Sequence, residues 1–248
     1  SLIPHIKPGL LIKEMENVSC GEPLFVDKRD RSIKFLSPVN GKITSIKFGY
    51  RRSIESIIIN INKNLININS SFSNKNLSPT DPPFEIVTKL IETGMWQMIK
   101  QFPFLDYCKP EKIINNEQFK PLPLIIISLQ SGDDFAPMPH IVLNGREDDF
   151  QSALSIIKKL AEEVVVAAPQ SLIPHLKNIK QSITHTFNTQ WPSGDPGVIL
   201  YHIKKDSAQN RSAYIELQDL LAIGALANKG IYDFNRIFTV GGNSSTPP

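Results

Sequence analysis

The sequence predicts an α+β chain in which a small all-β domain of the barrel-sandwich type precedes an α/β layer. Two observations carry this prediction. Residues 1–62 contain short runs rich in Ile, Val and Phe between Gly or Pro turns, which is typical of small barrels and sandwiches. From Pro121 onward, nearly continuous apolar runs alternate with amphipathic helical patterns, as expected for a mainly parallel sheet covered on both faces.

The most specific β pattern is a hairpin between Pro23 and Ile43. It consists of a short strand, a charged turn at Asp27–Asp30, a second strand and a Ser37-Pro38-x-x-Gly41 turn. This order is typical of the hammerhead fold of lipoyl and biotinyl carriers, in which a lysine at the hairpin tip is acylated. Lys28 has that place here, but the charged residues after it lengthen the turn. We therefore expect Lys28 to be an unmodified surface charge, and an acylated Lys28 is the alternative.

The domain boundaries follow from a change in composition after the last expected strand. The expected strands of the first part are Gly9–Ile12, Pro23–Val26, Ile33–Leu36, Gly41–Phe48 and Ser53–Ile61. The tract Asn62–Asn76 is rich in Asn, Ser and Lys and has few large side chains, which favours a linker. We therefore assign 1–62 to the β domain, 63–83 to the linker, 84–242 to the α/β layer and 243–248 to a tail.

The α/β layer is predicted to begin with a helix over Phe84–Gln101, because apolar residues recur there at spacings of three and four. Asp81 before Pro82 and Pro83 is a helix-start pattern in which Asp81 caps exposed amides. Gly94 predicts a break or a close backbone approach. The later expected elements are the strand Leu124–Leu129, the helix Asp149–Glu162, the strands Val164–Ala168 and Ile183–Phe187, the helix Tyr214–Asn228 closed by Gly230, and the strand Arg236–Val240.

Two loops are candidate ligand contacts. Residues 131–134 follow the buried strand Leu124–Leu129, and open α/β sheets bind ligands at the carboxyl ends of their strands. The loop Trp191–Gly197 is the richest turn sequence in the chain and would wrap a quinone or flavin, with a rigid interface loop as the alternative. The candidate contacts are Gly132, Asp133, Trp191, Ser193, Gly194 and Gly197.

Composition and spacing argue against several classes of function. A formal net charge of +3 is close to balanced, so no nucleic-acid partner is expected. The two cysteines form no Cys-x-x-Cys pair and the five histidines no His-x-x-x-His pair, so no metal site is predicted. No Gly-x-Gly-x-x-Gly phosphate cradle and no acid–base pair at a useful spacing occurs, and no catalytic residue is assigned. The apolar run Leu122–Leu129 is far shorter than the roughly 20 residues of a membrane span.

A series of motifs runs in one order from about residue 5 to residue 242. Its members are Gly21–Lys28, Lys34–Lys42, Gly49–Ile57, Gly94–Trp96, Phe102–Phe104, Gly145–Glu147 with Phe150, Pro192 with Gly194 and Gly197, and Gln218–Gly224. Together they resemble the NqrA family, which is the NqrA component of the sodium-translocating NADH:quinone reductase, and more distantly its counterpart in the Rnf complex. The most specific parts are the Gln218–Gly224 segment and the hairpin Phe25–Lys42.

The resemblance implies a Rossmann-like α/β domain similar to the flavin-bearing subunit of complex I, but without its nucleotide and flavin motifs. It further implies a truncated, peripheral and mainly non-catalytic subunit that binds no cofactor itself, with ubiquinone or flavin on partner subunits. The partners would be other subunits of a membrane respiratory complex. The residues expected to supply the interface are Lys28, Arg29, Arg51 and Arg52.

Two hypotheses about function remain open at this point. The first is the complex subunit just described, on the inner membrane at the bacterial cytoplasmic side or the mitochondrial matrix side, including an accessory subunit of a mitochondrial complex. The second is a stand-alone oxidoreductase that binds quinone or flavin, motivated by loops at strand ends that would line one pocket.

Overall fold

The computed structural model describes residues 6–50, 53–61, 77–115, 118–130, 136–188 and 190–241. We call the described residues between 6 and 61 the β region, and those between 77 and 241 the α/β region. Within these ranges no helix is both long and apolar enough to cross a membrane. Cys20 and Cys108 are both buried free thiols, as predicted.

The β region contains two three-stranded antiparallel sheets that share one core. The strands are β1 (Pro8–Leu10), β2 (Asn17–Val18), β3 (Pro23–Asp27), β4 (Asp30–Leu36), β5 (Gly41–Phe48) and β6 (Ile54–Ile61). In the described residues, one sheet has the order β1-β3-β4 and the other β2-β5-β6. Val18, Leu24 and Ile43 are buried between them, which accounts for the short alternating runs in the sequence.

The α/β region is built on a mixed sheet. Its helices are α1 (Pro83–Glu92), α2 (Pro139–Leu143), α3 (Glu147–Ile157), α4 (Pro196–Ile203) and α5 (Leu217–Lys229). Its strands are β7 (Lys100–Gln101), β8 (Asp106–Tyr107), β9 (Ile114–Asn115), β10 (Gln118–Phe119), β11 (Leu122–Ser128), β12 (Ala161–Pro169), β13 (His185–Phe187) and β14 (Ala213–Glu216). The sheet order among the described strands is β13-β12-β11-β14-β7-β8, and β9 pairs with β10 separately.

The central strand β11 is buried on both faces, as its continuous apolar run predicted. It pairs in parallel with β12 and β14, and β7 and β8 extend the sheet in antiparallel fashion. Ile125 and Ile127 pack into the core formed with α3 and α5. Leu124 and Ile126 face the other way, toward α4. Helices on both faces therefore leave the strand ends as the open part of the sheet.

The first helix is shorter than expected, because α1 ends at Glu92 and a single 3-10 turn and β7 follow it. Gly94 has a φ of +67°, and a Cβ there would lie 2.9 Å from Cγ of Leu36 in β4. The predicted break and close approach at Gly94 are thus confirmed. The predicted cap is wrong: the carboxylate of Asp81 accepts from the Ser78 amide and from Lys89 Nζ.

Two predicted helices each contain part of a strand. The helix expected over Asp149–Glu162 ends at Ile157, and that expected over Tyr214–Asn228 begins at Leu217. The residues taken from them, Ala161–Glu163 and Tyr214–Glu216, belong to β12 and β14, which pair with β11. Pairing with a distant strand overrides local helical preference here. The predicted C-cap at Gly230 is confirmed by its φ of +66°.

The expected strand Arg236–Val240 does not join a sheet. Its backbone instead binds a side chain at the start of α5: the Ile237 amide donates to Gln218 Oε1 at 2.8 Å, and Gln218 Nε2 donates to the Ile237 carbonyl at 3.1 Å. Because the amide side chain supplies both the donor and the acceptor, the segment is held against α5 without a partner strand.

Helices α3 and α5 approach closely at Gly224. A Cβ on Gly224 would lie 1.8 Å from the carbonyl oxygen of Asp149. The Asp149 side chain is buried and accepts hydrogen bonds from Asn228 and Lys229 of α5 and from Arg146. The glycine therefore lets the backbones touch, and the carboxylate satisfies the polar groups beside the contact.

The β region is joined to the α/β region at the tip of the β3–β4 hairpin. Asp27 is fully buried there, and its Oδ2 accepts from Arg29 Nη2 at 2.7 Å and from the Tyr107 hydroxyl at 3.0 Å. Arg29 Nη1 also reaches Asp106 Oδ2 at 3.2 Å. Burial alone would raise the pKa of Asp27, but the hydrogen bonds from Arg29 and Tyr107 outweigh it and hold the pKa below its usual value.

We expect Gly224→Ala to destabilise the fold by about 3 kcal/mol, because the added methyl group cannot fit against the Asp149 backbone. Helix propensity alone would give the opposite sign, a gain of about 1 kcal/mol. Urea unfolding measures the change, with Ser155→Ala on the exposed side of α3 as control. A stabilised Gly224→Ala variant would contradict the close approach.

We expect Asp27→Asn to lower the free energy of unfolding by about 3 kcal/mol at pH 7, because Arg29 loses its buried partner. The lowered pKa means that Asp27 stabilises the fold above the ordinary Asp pKa of about 3.9, and that this contribution is lost as the pH falls below it. The variant should therefore lose less stability than wild type on acidification below pH 4. Tyr107→Phe, which removes one donor, should cost about 1 kcal/mol and keep the acid slope. An unchanged acid slope in Asp27→Asn would refute this role.

Candidate functional site

A cleft of about 570 Å³ opens at the carboxyl ends of β11 and β14. The chain leads from β11 outward to β12 and β13, and then returns on the other side of β11 as β14. Strand ends that lead in opposite directions leave a crevice between them, where open α/β sheets bind ligands. The volume suits a small organic molecule.

The wall of the cleft is mainly aromatic and apolar, with a few polar groups. Phe102, Leu105, Trp191 and Tyr214 supply most of the apolar surface, and Ser128, Asp195, Glu216 and Gln218 supply polar groups. Trp191 lies at the mouth with 76% of its surface exposed. Flat faces with few polar groups are typical of sites for ring-shaped ligands.

One wall is formed by the start of α4. Asp195 caps this helix: its Oδ1 accepts from the backbone amides of Gly197 at 2.8 Å and Val198 at 3.1 Å. Pro196 occupies the first helical position, where its missing N–H costs nothing. The first free amides of the helix are therefore already occupied by a carboxylate of the same chain.

The floor holds a buried cation paired with a half-exposed carboxylate. Lys100 Nζ lies 2.6 Å from Glu216 Oε1 and 5.4 Å from the centre of the Tyr214 ring. Burial alone would lower the pKa of Lys100, but the Glu216 carboxylate outweighs it and the pKa lies above its usual value. Burial also raises the pKa of Tyr214. Lys100 therefore stays charged and Tyr214 stays protonated at neutral pH.

A second acidic group lies behind the floor at Asp219. Burial raises its pKa to about 6, although Arg236, 2.8 Å away, opposes the shift. Arg236 also donates to the Gln218 carbonyl. Together with the bonds between Gln218 and Ile237, these contacts fix the side chain of Gln218 at the edge of the cleft.

The structure brings part of the predicted Trp191–Gly197 contacts together. Trp191 and Gly197 line the cleft, and the Gly194 carbonyl accepts from Ser128 Oγ at 3.4 Å. Ser193 lines a neighbouring cavity of about 270 Å³ instead. Gly132 and Asp133 lie outside the described residues.

The predicted interface residues have different surroundings. Lys28 is exposed at the hairpin tip, and its stem lies near Gly9. Arg29 pairs with Asp27 and Asp106 within the chain. Arg51 and Arg52 lie outside the described residues.

Sequence reasoning missed Lys100, Tyr214 and Glu216 as site residues, because it assigned them to the interior or the start of helices. The alternation of Ser212–Glu216 before a new helical pattern was the available signal for a strand ending at the cleft. Four residues of alternation are too few to distinguish a strand from the start of a helix.

The chemistry of the cleft is that of binding. The Ser128 hydroxyl is hydrogen-bonded to the Gln130 carbonyl at 2.8 Å, and no histidine lies among the described lining residues to activate it. Across the described ranges, no group of three or more His, Cys, Asp or Glu side chains is placed to hold a metal ion.

Comparison with known proteins gives a consistent result for both regions. The model of the NqrA N-terminal barrel-sandwich hybrid domain matches residues 2–62, and that of the NqrA second alpha/beta domain matches residues 84–232. The predicted order of a barrel-sandwich hybrid followed by an α/β domain is therefore confirmed.

Curated relatives point the same way. The NqrA component of the Na(+)-translocating NADH-quinone reductase from Shewanella amazonensis is 26% identical over 245 residues, covering 98% of this chain and 52% of the relative. The protein of the same name from Neisseria meningitidis serogroup A is 27% identical over 247 residues, covering 98% of this chain and 53% of the relative. The chain thus spans about half the length of these relatives.

Proposed function

The chain belongs to the NqrA family, and from this we propose that it is a peripheral subunit of a membrane respiratory complex of the NADH:quinone oxidoreductase type. The observation that carries the proposal is the match of both regions, in order, to the two NqrA domain families. Its main role is structural docking, and it is not itself the catalyst. The chain divides at 1–62, 63–83, 84–242 and 243–248.

The partners are other subunits of the complex, and no nucleic acid takes part. The chain lies on the inner membrane, at the bacterial cytoplasmic side or at the matrix side of a mitochondrion, where it would be an accessory subunit. The exposed Lys28 together with Arg51 and Arg52 contributes to the interface. Exposed aromatic side chains support docking as well: Phe104 is 73% and Tyr201 70% exposed.

A second part of the proposal concerns the cleft. The flat faces of Trp191, Phe102 and Tyr214, with the polar groups of Ser128 and Gln218, support contact with the ring of ubiquinone or of a flavin brought by a partner subunit. A stand-alone oxidoreductase that binds quinone or flavin is the competing function. Whether the chain occurs in a complex separates the two.

We expect the tagged chain, extracted from membranes of its source in mild detergent, to appear in native mass spectra together with other respiratory subunits. Lys28→Glu should reduce this association, whereas Lys177→Glu, at an exposed position of the α/β region, should not. A monomer without any respiratory partner would refute the subunit role and favour the stand-alone enzyme.

We expect ubiquinone-1 to quench the fluorescence of Trp191, because this side chain borders the cleft and is 76% exposed. The other tryptophan, Trp96, is fully buried in the core and should respond little. Trp191→Phe should therefore remove most of the quenching. Quenching that persists undiminished in this variant would show that the quinone binds elsewhere.

A further inference from the structure

We propose that the cleft at the ends of β11 and β14 excludes phosphorylated ligands and accepts neutral flat rings, and that Asp195 and Glu216 determine this selection. The inference rests on the proposed function, because it names the class of ligand that the same cleft takes. In many α/β folds the corresponding crevice binds a nucleotide through its phosphates. Two features of this cleft oppose such binding.

The first feature is that the anion-binding end of α4 is already filled. A helix N-terminus attracts phosphate because its first amides are free and its dipole favours negative charge. In this chain the Gly197 and Val198 amides both donate to Asp195 Oδ1, at 2.8 and 3.1 Å. The carboxylate thus takes the place of the phosphate, and its negative charge lies in the cleft wall.

Gly197 is fitted to this carboxylate. A Cβ at Gly197 would lie only 3.0 Å from Asp195 Oδ1, so a side chain there would crowd the cap. The glycine also leaves that part of the wall open to the cleft. The arrangement holds the Asp195 carboxylate in one position beside the ligand space.

The second feature is the direction of the Lys100–Glu216 pair. Lys100 is only 6% exposed, whereas the Glu216 side chain is 46% exposed and borders the cleft. The cation therefore lies behind the carboxylate, and a ligand meets Glu216 first. The charged residues among the described lining of the cleft are Asp195 and Glu216, and both are acidic. A phosphate would be repelled by two negative charges in a partly dehydrated space.

A neutral ring meets none of this repulsion. The faces of Trp191 and Tyr214 offer stacking surface, and Ser128 and Gln218 offer polar groups at the edge. Both carboxylates are already satisfied within the chain, Asp195 by two amides and Glu216 by Lys100, so they attract no cationic ligand strongly. Neutral rings are the class that the wall favours.

Riboflavin and FMN test the inference, because they share one ring system and differ by a phosphate. We expect wild type to bind riboflavin at least about tenfold more tightly than FMN, by flavin fluorescence anisotropy. Asp195→Gly vacates the helix amides at small cost to the cap, and Glu216→Gln removes the second charge but keeps an acceptor for Lys100. Each should tighten FMN binding several-fold and leave riboflavin binding within about twofold.

Glu111→Gln is the control, because it removes one carboxylate that is 74% exposed and not among the lining residues. It should leave both affinities unchanged. Thermal unfolding checks that the Asp195→Gly variant is folded, and Glu216→Gln tests the same point without altering the cap.

The outcomes separate this inference from the proposed function. Equal binding of FMN and riboflavin by wild type, no riboflavin binding, or an unchanged ratio in both cleft variants would overturn the inference. Riboflavin selected over FMN, with no quenching of Trp191 by ubiquinone-1, would support the selection rule and refute the proposed quinone contact. Selection together with quenching would support both.

Discussion

The buried carboxylate of Asp27 determines how the β region packs on the α/β region. A charge without solvent is tolerated only when it is paired and hydrogen-bonded, and Asp27 obtains its partners from both sides, Arg29 in its own hairpin and Tyr107 in β8. The hairpin tip that carrier domains leave free for a modified lysine is therefore used for a contact within the chain. Lys28 stays outside that contact, and a hammerhead with a fixed tip suits docking better than group transfer.

The cleft depends on strand order more than on any single side chain. Burial of β11 on both faces requires α3 and α5 on one side and α4 on the other, and this leaves only the strand ends open. Because β14 enters on the opposite side of β11 from β12, the ends separate and a crevice forms. The start of α4 then brings Asp195 to the wall, and the end of β14 brings Glu216 to the floor. A common architecture thus acquires an acidic lining where nucleotide-binding relatives of the fold need a basic or neutral one.

Parts of this structure could be predicted from local sequence. The apolar run of β11, the break at Gly94 and the C-cap at Gly230 all follow from residue type and spacing, and each is found where it was expected. The short strands β7 and β14 could not be predicted in this way. They have two and four residues, too few to show a period, and they exist because they pair with strands far away in the chain. The loop Trp191–Gly197 was correctly identified as part of a candidate site, whereas the polar floor beneath it was not.

The sequence by itself determined the two-part architecture, the buried central strand and the resemblance to the NqrA family, because local patterns of apolar and turn residues report burial and chain direction. Only the tertiary structure decided which polar side chains meet. Lys100 and Glu216 are 116 positions apart, and Asp27 and Tyr107 are 80 apart. Their pairing follows from strand order and from the contact between the two regions. A local pattern records that a residue is polar, but the partner that compensates its burial is set by packing over the whole chain.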